Sequence, residues 1–252
     1  MDIEPVDPAP SRAFSRASLR QYWKDLTFVH WAVAPELVAP LLPSGTRPDT
    51  LDGLTHVGLV GFQMVGLGLG RGPRVPYFGT FWETNVRLYS VDDAGRRAVV
   101  FRSLDASRLV PVLVARASLR LPYLWSKMGI DRDGDICTYR CRRRWPGPAG
   151  AASRMVVRVG DPIADPTPLE HFLTARWGLH TRAYGRTLHL PNWHPRWPLH
   201  RAELLHLDDG LVAAAGLPAP AAAPVSVLYA PGVPVVFGLP TVAGGVATCT
   251  PP

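Results

Sequence analysis

Lysine is nearly missing from this sequence: only Lys24 and Lys127 carry a side-chain amine, and every other basic residue is an arginine. An imine-forming nucleophile can therefore sit at just two positions, because a guanidinium stays protonated and does not attack carbonyls. Cysteine is equally scarce. Cys137, Cys141 and Cys249 are odd in number and match no metal-ligand spacing, which argues against a disulfide framework. The first two, four apart in an extended stretch, point to the same face. Long apolar runs are absent as well, since Leu211 to Leu217 and Val225 to Tyr229 break off far short of the about 20 residues that a membrane helix needs. The start, Met1-Asp2-Ile3-Glu4-Pro5, is acidic and proline-containing, whereas a secretory leader opens basic and then turns apolar. We expect a cytoplasmic protein with no membrane partner.

Several ligand templates are missing too. No Gly-x-Gly-x-x-Gly follows a strand, no phosphate loop ends in lysine, and no Gly-x-Ser-x-Gly elbow occurs; Gly66-Leu67-Gly68-Leu69-Gly70 lacks the helix and acid a dinucleotide site requires. His180, His189, His194, His200 and His206 crowd the last third at spacings that fit no ligand set, so no metal is expected. The net charge of +7 invites a nucleic-acid reading, with Arg140, Arg142, Arg143 and Arg144 as its densest cluster. Those arginines alternate along an extended segment with few aromatics between them, which is the pattern of a solvated edge strand. No nucleic-acid partner is expected.

What is present is a large apolar fraction, 47% of 252 residues, enough for a sizeable core. Residues 1–14 read as a flexible tail, 15–240 as a single domain and 241–252 as a second tail. Within the domain, Ser18 to Lys24 reads as a short helix, and Trp23 to Trp31 as a strand entering a tight helix at Pro35. Further strands are expected at His56 to Val65, Phe78 to Val91, Arg97 to Ser103, Ile136 to Arg144, Ser153 to Val159, Arg186 to His189, Arg201 to Leu207 and Val225 to Tyr229. Helices are expected at Ser107 to Ser118 and from Pro122 through Lys127. Another begins at the capping box Thr167-Pro168-Leu169-Glu170, with Leu169, Phe172, Leu173 and Trp177 at helical spacing. Many strands and few helices indicate an α+β fold, a curved antiparallel sheet or barrel with flanking helices.

The segment Phe81-Trp82-Glu83-Thr84-Asn85-Val86-Arg87-Leu88-Tyr89 carries the most chemical information. Alternation along a strand sets Phe81, Glu83, Asn85, Arg87 and Tyr89 on one face and Trp82, Thr84, Val86 and Leu88 on the other. The first face is either the lining of a ligand pocket or the wet side of a half-buried sheet. Alternation alone favours the wet side.

Several segments tip that balance. Asp25-Leu26-Thr27-Phe28-Val29-His30-Trp31, Phe81 to Arg87, Ser103-Leu104-Asp105-Ala106, Ala115-Arg116 with Leu121-Pro122-Tyr123, and Phe172 to Trp177 with Trp197-Pro198-Leu199 together resemble the YqjF-like family. That family is similar in fold to acetoacetate decarboxylase, whose pocket lies inside a β-barrel. The resemblance makes Glu83 the pocket-facing acid. It also places Tyr123 and Leu124 where the decarboxylase carries its Schiff-base lysine, which removes the amine and with it that route to decarboxylation.

We therefore expect a small-molecule enzyme acting on a carbonyl- or carboxylate-bearing substrate by enolate-type lyase, hydratase or isomerase chemistry, with no cofactor. Glu83 would be the acid or base, Tyr123 and Asn85 would hold an oxyanion, and Arg87 or Arg116 would anchor the substrate. His30 could reach the pocket, although a hydrogen-bonded core histidine is the competing account. Lys127 would share Tyr123's face one helical turn on, or be a solvated lysine; Arg176 would bind a carboxylate, or complement the dipole of the capped helix's last turn. The alternative is a sensor or carrier on the same scaffold that binds a ligand without converting it. Assembly into a homo-oligomer stays open.

Overall fold

The computed structural model describes residues 2–9 and 17–243. Strand β1 (Leu19–Val33) leads into α1 (Pro35–Val38) and a single 3-10 turn. β2 (Thr46–Pro48), β3 (Thr55–Leu69), β4 (Phe81–Asp92) and β5 (Arg97–Ala106) precede α2 (Leu109–Leu119). Next come β6 (Tyr123–Asp133), β7 (Ile136–Trp145), β8 (Ala152–Pro162) and α3 (Pro168–Thr174). β9 (Gly178–Ala183), β10 (Arg186–Trp193), β11 (His200–Asp209), α4 (Leu211–Ala214), β12 (Ser226–Phe237) and β13 (Thr241–Val242) complete the order.

All the strands belong to one curved sheet, in which β12, β1, β3, β4 and β5 stand side by side as an antiparallel wall. At β5 the wall forks. Leu104 to Ala106 pair in parallel with β6, while Val99 pairs in parallel with Leu179 of β9. β12 forks as well, its Leu228 and Tyr229 pairing with β11 and its Val236 and Phe237 with β10. One ring of strands consequently runs through β6, β7, β8 and β11, another through β9 and β10, and both share the wall.

The shared wall explains the apolar composition. Alternate side chains of each wall strand enter different cores: Phe28, Phe62, Phe81 and Tyr89 pack on the β9–β10 side, and Val29, Leu59, Val86 and Leu88 on the β7–β8 side. A strand buried on both faces has no reason to alternate polar with apolar, and β3 accordingly reads His-Val-Gly-Leu-Val-Gly-Phe. Cys137 and Cys141 are free thiols in the second core, pointing the same way as expected, whereas Cys249 lies outside the described residues.

Some local expectations are overturned. Ser18 to Lys24 is not helical; Leu19 to Lys24 alternate between half-buried and exposed as β1 bonds to β3 and β12. The segment after Pro122 is β6 rather than a helix, because it pairs first with β5 and then, beyond a bulge at Trp125/Ser126, with β7. β7 is an interior strand between β6 and β8, so the Arg140, Arg142 and Arg144 row is the solvent face of a paired strand and not an edge. Arg143, on the opposite face, is buried and forms a bidentate pair with Asp105, to which Ser126 also donates at 2.7 Å.

Other expectations hold. Pro111 falls in the first turn of α2, where its missing N–H costs nothing. The Thr167 box caps α3 from both directions, Thr167 accepting from the Glu170 N–H and Glu170 accepting from the Thr167 N–H. α3 stops at Thr174, however, so Trp177 lies beyond it. At the ends of the chain, the Glu4 N–H donates to Gly95 O at 2.9 Å, Trp177 Nε1 donates to Asp7 O at 3.0 Å, and Thr241 and Val242 pair with β10. The rest of the two expected tails, Met1, 10–14 and 244–252, lies outside the described residues.

Candidate functional site

The fork at β5 builds the site. Glu83 of β4 stands in register with Ala106 of β5, and Tyr123 of β6 with Leu104, so two strands far apart in sequence flank one small segment from either side. Tyr123 Oη donates to Glu83 Oε2 at 2.9 Å across that segment. The Tyr123 backbone is fixed from α2, where Arg116 Nη1 donates to Tyr123 O at 2.8 Å, and Leu104 N–H donates to Pro122 O at 3.0 Å.

Both side chains line a cavity of about 420 Å³ between the wall, β9–β10 and α2. Its walls are chiefly apolar, with Trp23, Met64, Phe81 and Leu104 at the sheet and Val114 and Leu119 from α2. Besides Glu83 and Tyr123, only Ser18, Gln21, Ser118 and the indole N–H of Trp23 bring polar groups to it among the described residues, and no described lysine, arginine or histidine does. Volume and lining suit a small, mostly apolar molecule with one polar end.

Burial sets the protonation state. Glu83 is 3% exposed, and removal of its charge from water pushes the carboxyl up from 4.5 to about 7 against the opposing hydrogen bonds of Tyr123 and Asn85. Tyr123 is raised well above 10, first by burial and then by the carboxylate beside it, so it remains a proton donor. A carboxyl that is half ionised near neutrality is matched to proton transfer in either direction.

The other expected site residues lie elsewhere. Asn85 is buried next to Glu83 on the same strand face, its side-chain N–H donating a hydrogen bond to that carboxyl and its Oδ1 without a partner among the described residues, but it does not reach the cavity. Arg87 donates from Nε to Tyr89 Oη at 3.1 Å and from Nη2 to Leu173 O at 2.9 Å, and His30 Nε2 lies 2.7 Å from the same phenol. His30 is fully buried, and desolvation followed by the charge of Arg87 drives its pKa well below 6.5, leaving it neutral. Arg176 donates from Nε to Phe172 O at 2.8 Å and pairs with Asp49. It sits just past α3 and satisfies a carbonyl at that helix's end. Together these groups fasten α3 to the wall, away from the cavity. Arg116 serves the Tyr123 backbone, and Lys127 is exposed on β6. Among the described residues no group of His, Cys, Asp and Glu is arranged to hold a metal ion.

A model of the DUF2071 family of uncharacterized conserved proteins matches residues 20–234. The chain belongs to that family. The Bacillus subtilis (strain 168) protein YqjF, itself described as uncharacterized, is 31% identical over 187 residues, covering 73% of this chain and 76% of its own. Among solved structures, the acetoacetate decarboxylase of Legionella pneumophila superposes with a TM-score of 0.62 at 12% identity, over 94% of this chain and 92% of that one. An acetoacetate decarboxylase-like enzyme from Sphingomonas wittichii RW1 gives 0.61 at 14% identity, over 92% and 95%. The enduracididine biosynthesis enzyme MppR complexed with pyruvate gives 0.59 at 14%, over 92% of each chain. At such identities the likeness establishes the fold of this DUF2071 protein, the curved sheet of the acetoacetate decarboxylase-like group.

Sequence reasoning missed most of the cavity wall. Trp23, Phe101, Leu179 and Leu190 line it from four different strands, and apolar residues of that kind give no signal by which a lining position differs from a core position. α2 carried a usable clue in Leu109-Val110-Pro111-Val112-Leu113-Val114, an apolar stretch too continuous for one buried stripe.

Proposed function

We propose that this DUF2071 protein takes a neutral, largely apolar carbonyl compound into the cavity and moves a proton at the carbon next to that carbonyl. The observation that carries the reading is the Tyr123 Oη–Glu83 Oε2 contact of 2.9 Å at a cavity wall, with the carboxyl held at about 7. Ionised Glu83 would remove the α-proton. Once protonated it no longer holds the phenol hydrogen, which Tyr123 would then turn toward the enolate oxygen as charge develops there. Return of the proton to carbon gives isomerisation; loss of a β-substituent gives a lyase or hydratase outcome. Among the described residues no cation joins the lining, which favours a neutral carbonyl over the carboxylate half of the expected substrate class, since a buried carboxylate beside Glu83 would have no described counter-charge. Neither Lys24 nor Lys127 lines the cavity, so neither lysine can serve an imine step there. Structures of the same fold hold small carbonyl compounds, pyruvate in MppR among them.

A second reading, a carrier or sensor that binds without turnover, draws support from the same apolar walls. The two separate in deuterium oxide. A panel of enolisable ketones and aldehydes would be incubated with the protein and α-proton exchange followed by NMR. Exchange that disappears in Glu83→Gln supports catalysis. Binding of panel members with no exchange above the buffer rate in any of them would reject the catalytic reading in favour of the carrier.

A further inference from the structure

The helix that walls the cavity is also the least explained element of the surface. α2 is apolar on nearly every side from Leu109 to Val114, yet Val112 is its only buried residue. Helices apolar all round are normally enclosed by protein or by lipid. Val114 is 61% exposed, and across the cavity mouth Leu69 is 64% exposed, while both line the cavity. The neighbouring loop, residues 70–80, adds exposed Tyr77 and Phe78, packed edge-to-face at 5.0 Å. Arg108 joins loop to helix, its guanidinium 4.0 Å from the Tyr77 ring centroid and its Nη1 donating to Tyr77 Oη at 2.6 Å. Leu69, Tyr77, Phe78 and the outer side of α2 thus form one apolar face around the entrance, of a kind that marks an interaction site.

Charge identifies the partner. Residues 66–80 and 107–130 contain arginines and Lys127 but not a single Asp or Glu. Arg71, Arg74 and Arg120 are exposed. A two-fold contact with a second copy would set this basic face against its own image, with no acid to compensate. An apolar face ringed by arginine is instead the chemistry of a helix lying at the interface of an anionic bilayer. No helix among the described residues is long and apolar enough to cross a membrane, so the contact would be peripheral.

We propose that α2 and the 70–80 loop dock on an anionic lipid surface, and that the apolar ligand enters the cavity from that surface through the Leu69–Val114 mouth. This goes beyond the acid–base reading and does not require Glu83 to turn anything over.

The test is co-sedimentation of the full-length protein with phosphatidylcholine vesicles, with and without phosphatidylglycerol. The expected result is sedimentation with the anionic vesicles only, lost when salt shortens the screening length to about 3 Å. Leu113→Glu, at an exposed position, should weaken vesicle binding about tenfold or more. Arg71→Gln with Arg74→Gln should weaken it about thirtyfold, from about 1 kcal/mol per arginine. Circular dichroism checks that each variant folds, and the arginine pair serves if Leu113→Glu does not. Absence of sedimentation with anionic vesicles would overturn the proposal, as would equal binding to neutral ones. A concentration-dependent dimer in sedimentation velocity that Leu113→Glu abolishes would also overturn it and assign the face to a second copy. Since none of these readouts depends on turnover, failure here and failure of the Glu83 chemistry are separate results.

Discussion

Replacing Glu83 by glutamine is expected to stabilise the protein, by an amount that depends on pH. Folding buries the Glu83 carboxyl and moves it from 4.5 to about 7. Between those values the folded state holds a proton that the unfolded chain has released, so stability falls as pH rises through the window and stays at the lower level above it. At about 1.4 kcal/mol per pH unit the full penalty is about 3 kcal/mol at pH 8 and under about 1 kcal/mol at pH 5. Glutamine is nearly isosteric, its oxygen can still accept from Tyr123, and a flip of the Asn85 amide would bring its Oδ1, which has no partner among the described residues, to the new N–H group. It removes the buried charge and little else. For a chain of this size about 3 kcal/mol corresponds to about 6–12 °C in melting temperature. Thermal melts followed by circular dichroism at pH 5 and pH 8 measure the difference directly. A gap between variant and wild type that is the same at both pH values would refute the claim that Glu83 is a desolvated acid.

Three other perturbations follow from the same geometry. Tyr123→Phe deletes a hydrogen bond that holds the Glu83 carboxyl down, so NMR titration of carbon-13-labelled glutamate should show that carboxyl titrating above about 7; no upward movement would mean that the phenol does not hold the ionised form. Asp105→Asn strips the counter-charge from buried Arg143 and should cost about 3–5 kcal/mol in urea denaturation, a loss under about 1 kcal/mol contradicting the pair's role. Thr167→Ala removes one arm of the α3 cap and should cost about 1 kcal/mol in the same assay, with an unchanged midpoint counting against it.

How much of this was legible in the sequence differs from element to element. The two faces of β4 could be read from alternation, but that both are buried could not, because burial depends on flaps contributed by β7–β8 and by β9–β10. Glu83 and Tyr123 came from family resemblance; their meeting depends on parallel pairing of β5 with β6 across α2, a contact invisible to local pattern. The arginines misled for a definite reason. A guanidinium in sequence says nothing about its acceptor, and Arg87 and Arg116 bond to backbone carbonyls of Leu173 and Tyr123 rather than offering themselves to a ligand. The two short segments expected as helices, Ser18 to Lys24 and Pro122 to Lys127, span too few residues for a period of 2 to be told from one of 3.6.

The forked wall also dictates when the protein can come into being. Both rings pass through the β1–β12 ladder, which joins Leu19 to Phe237 and so closes only when the two ends of the domain meet. On the ribosome β1, β3, β4 and β5 emerge early and can pair as a meander, but their faces are bare until β6–β8 and β9–β10 follow, and neither ring closes until β12 arrives. The cavity is therefore among the last features to form, and the nascent wall is exposed to edge pairing for most of synthesis. A chain cut before β12 would leave both rings open, with neither core enclosed.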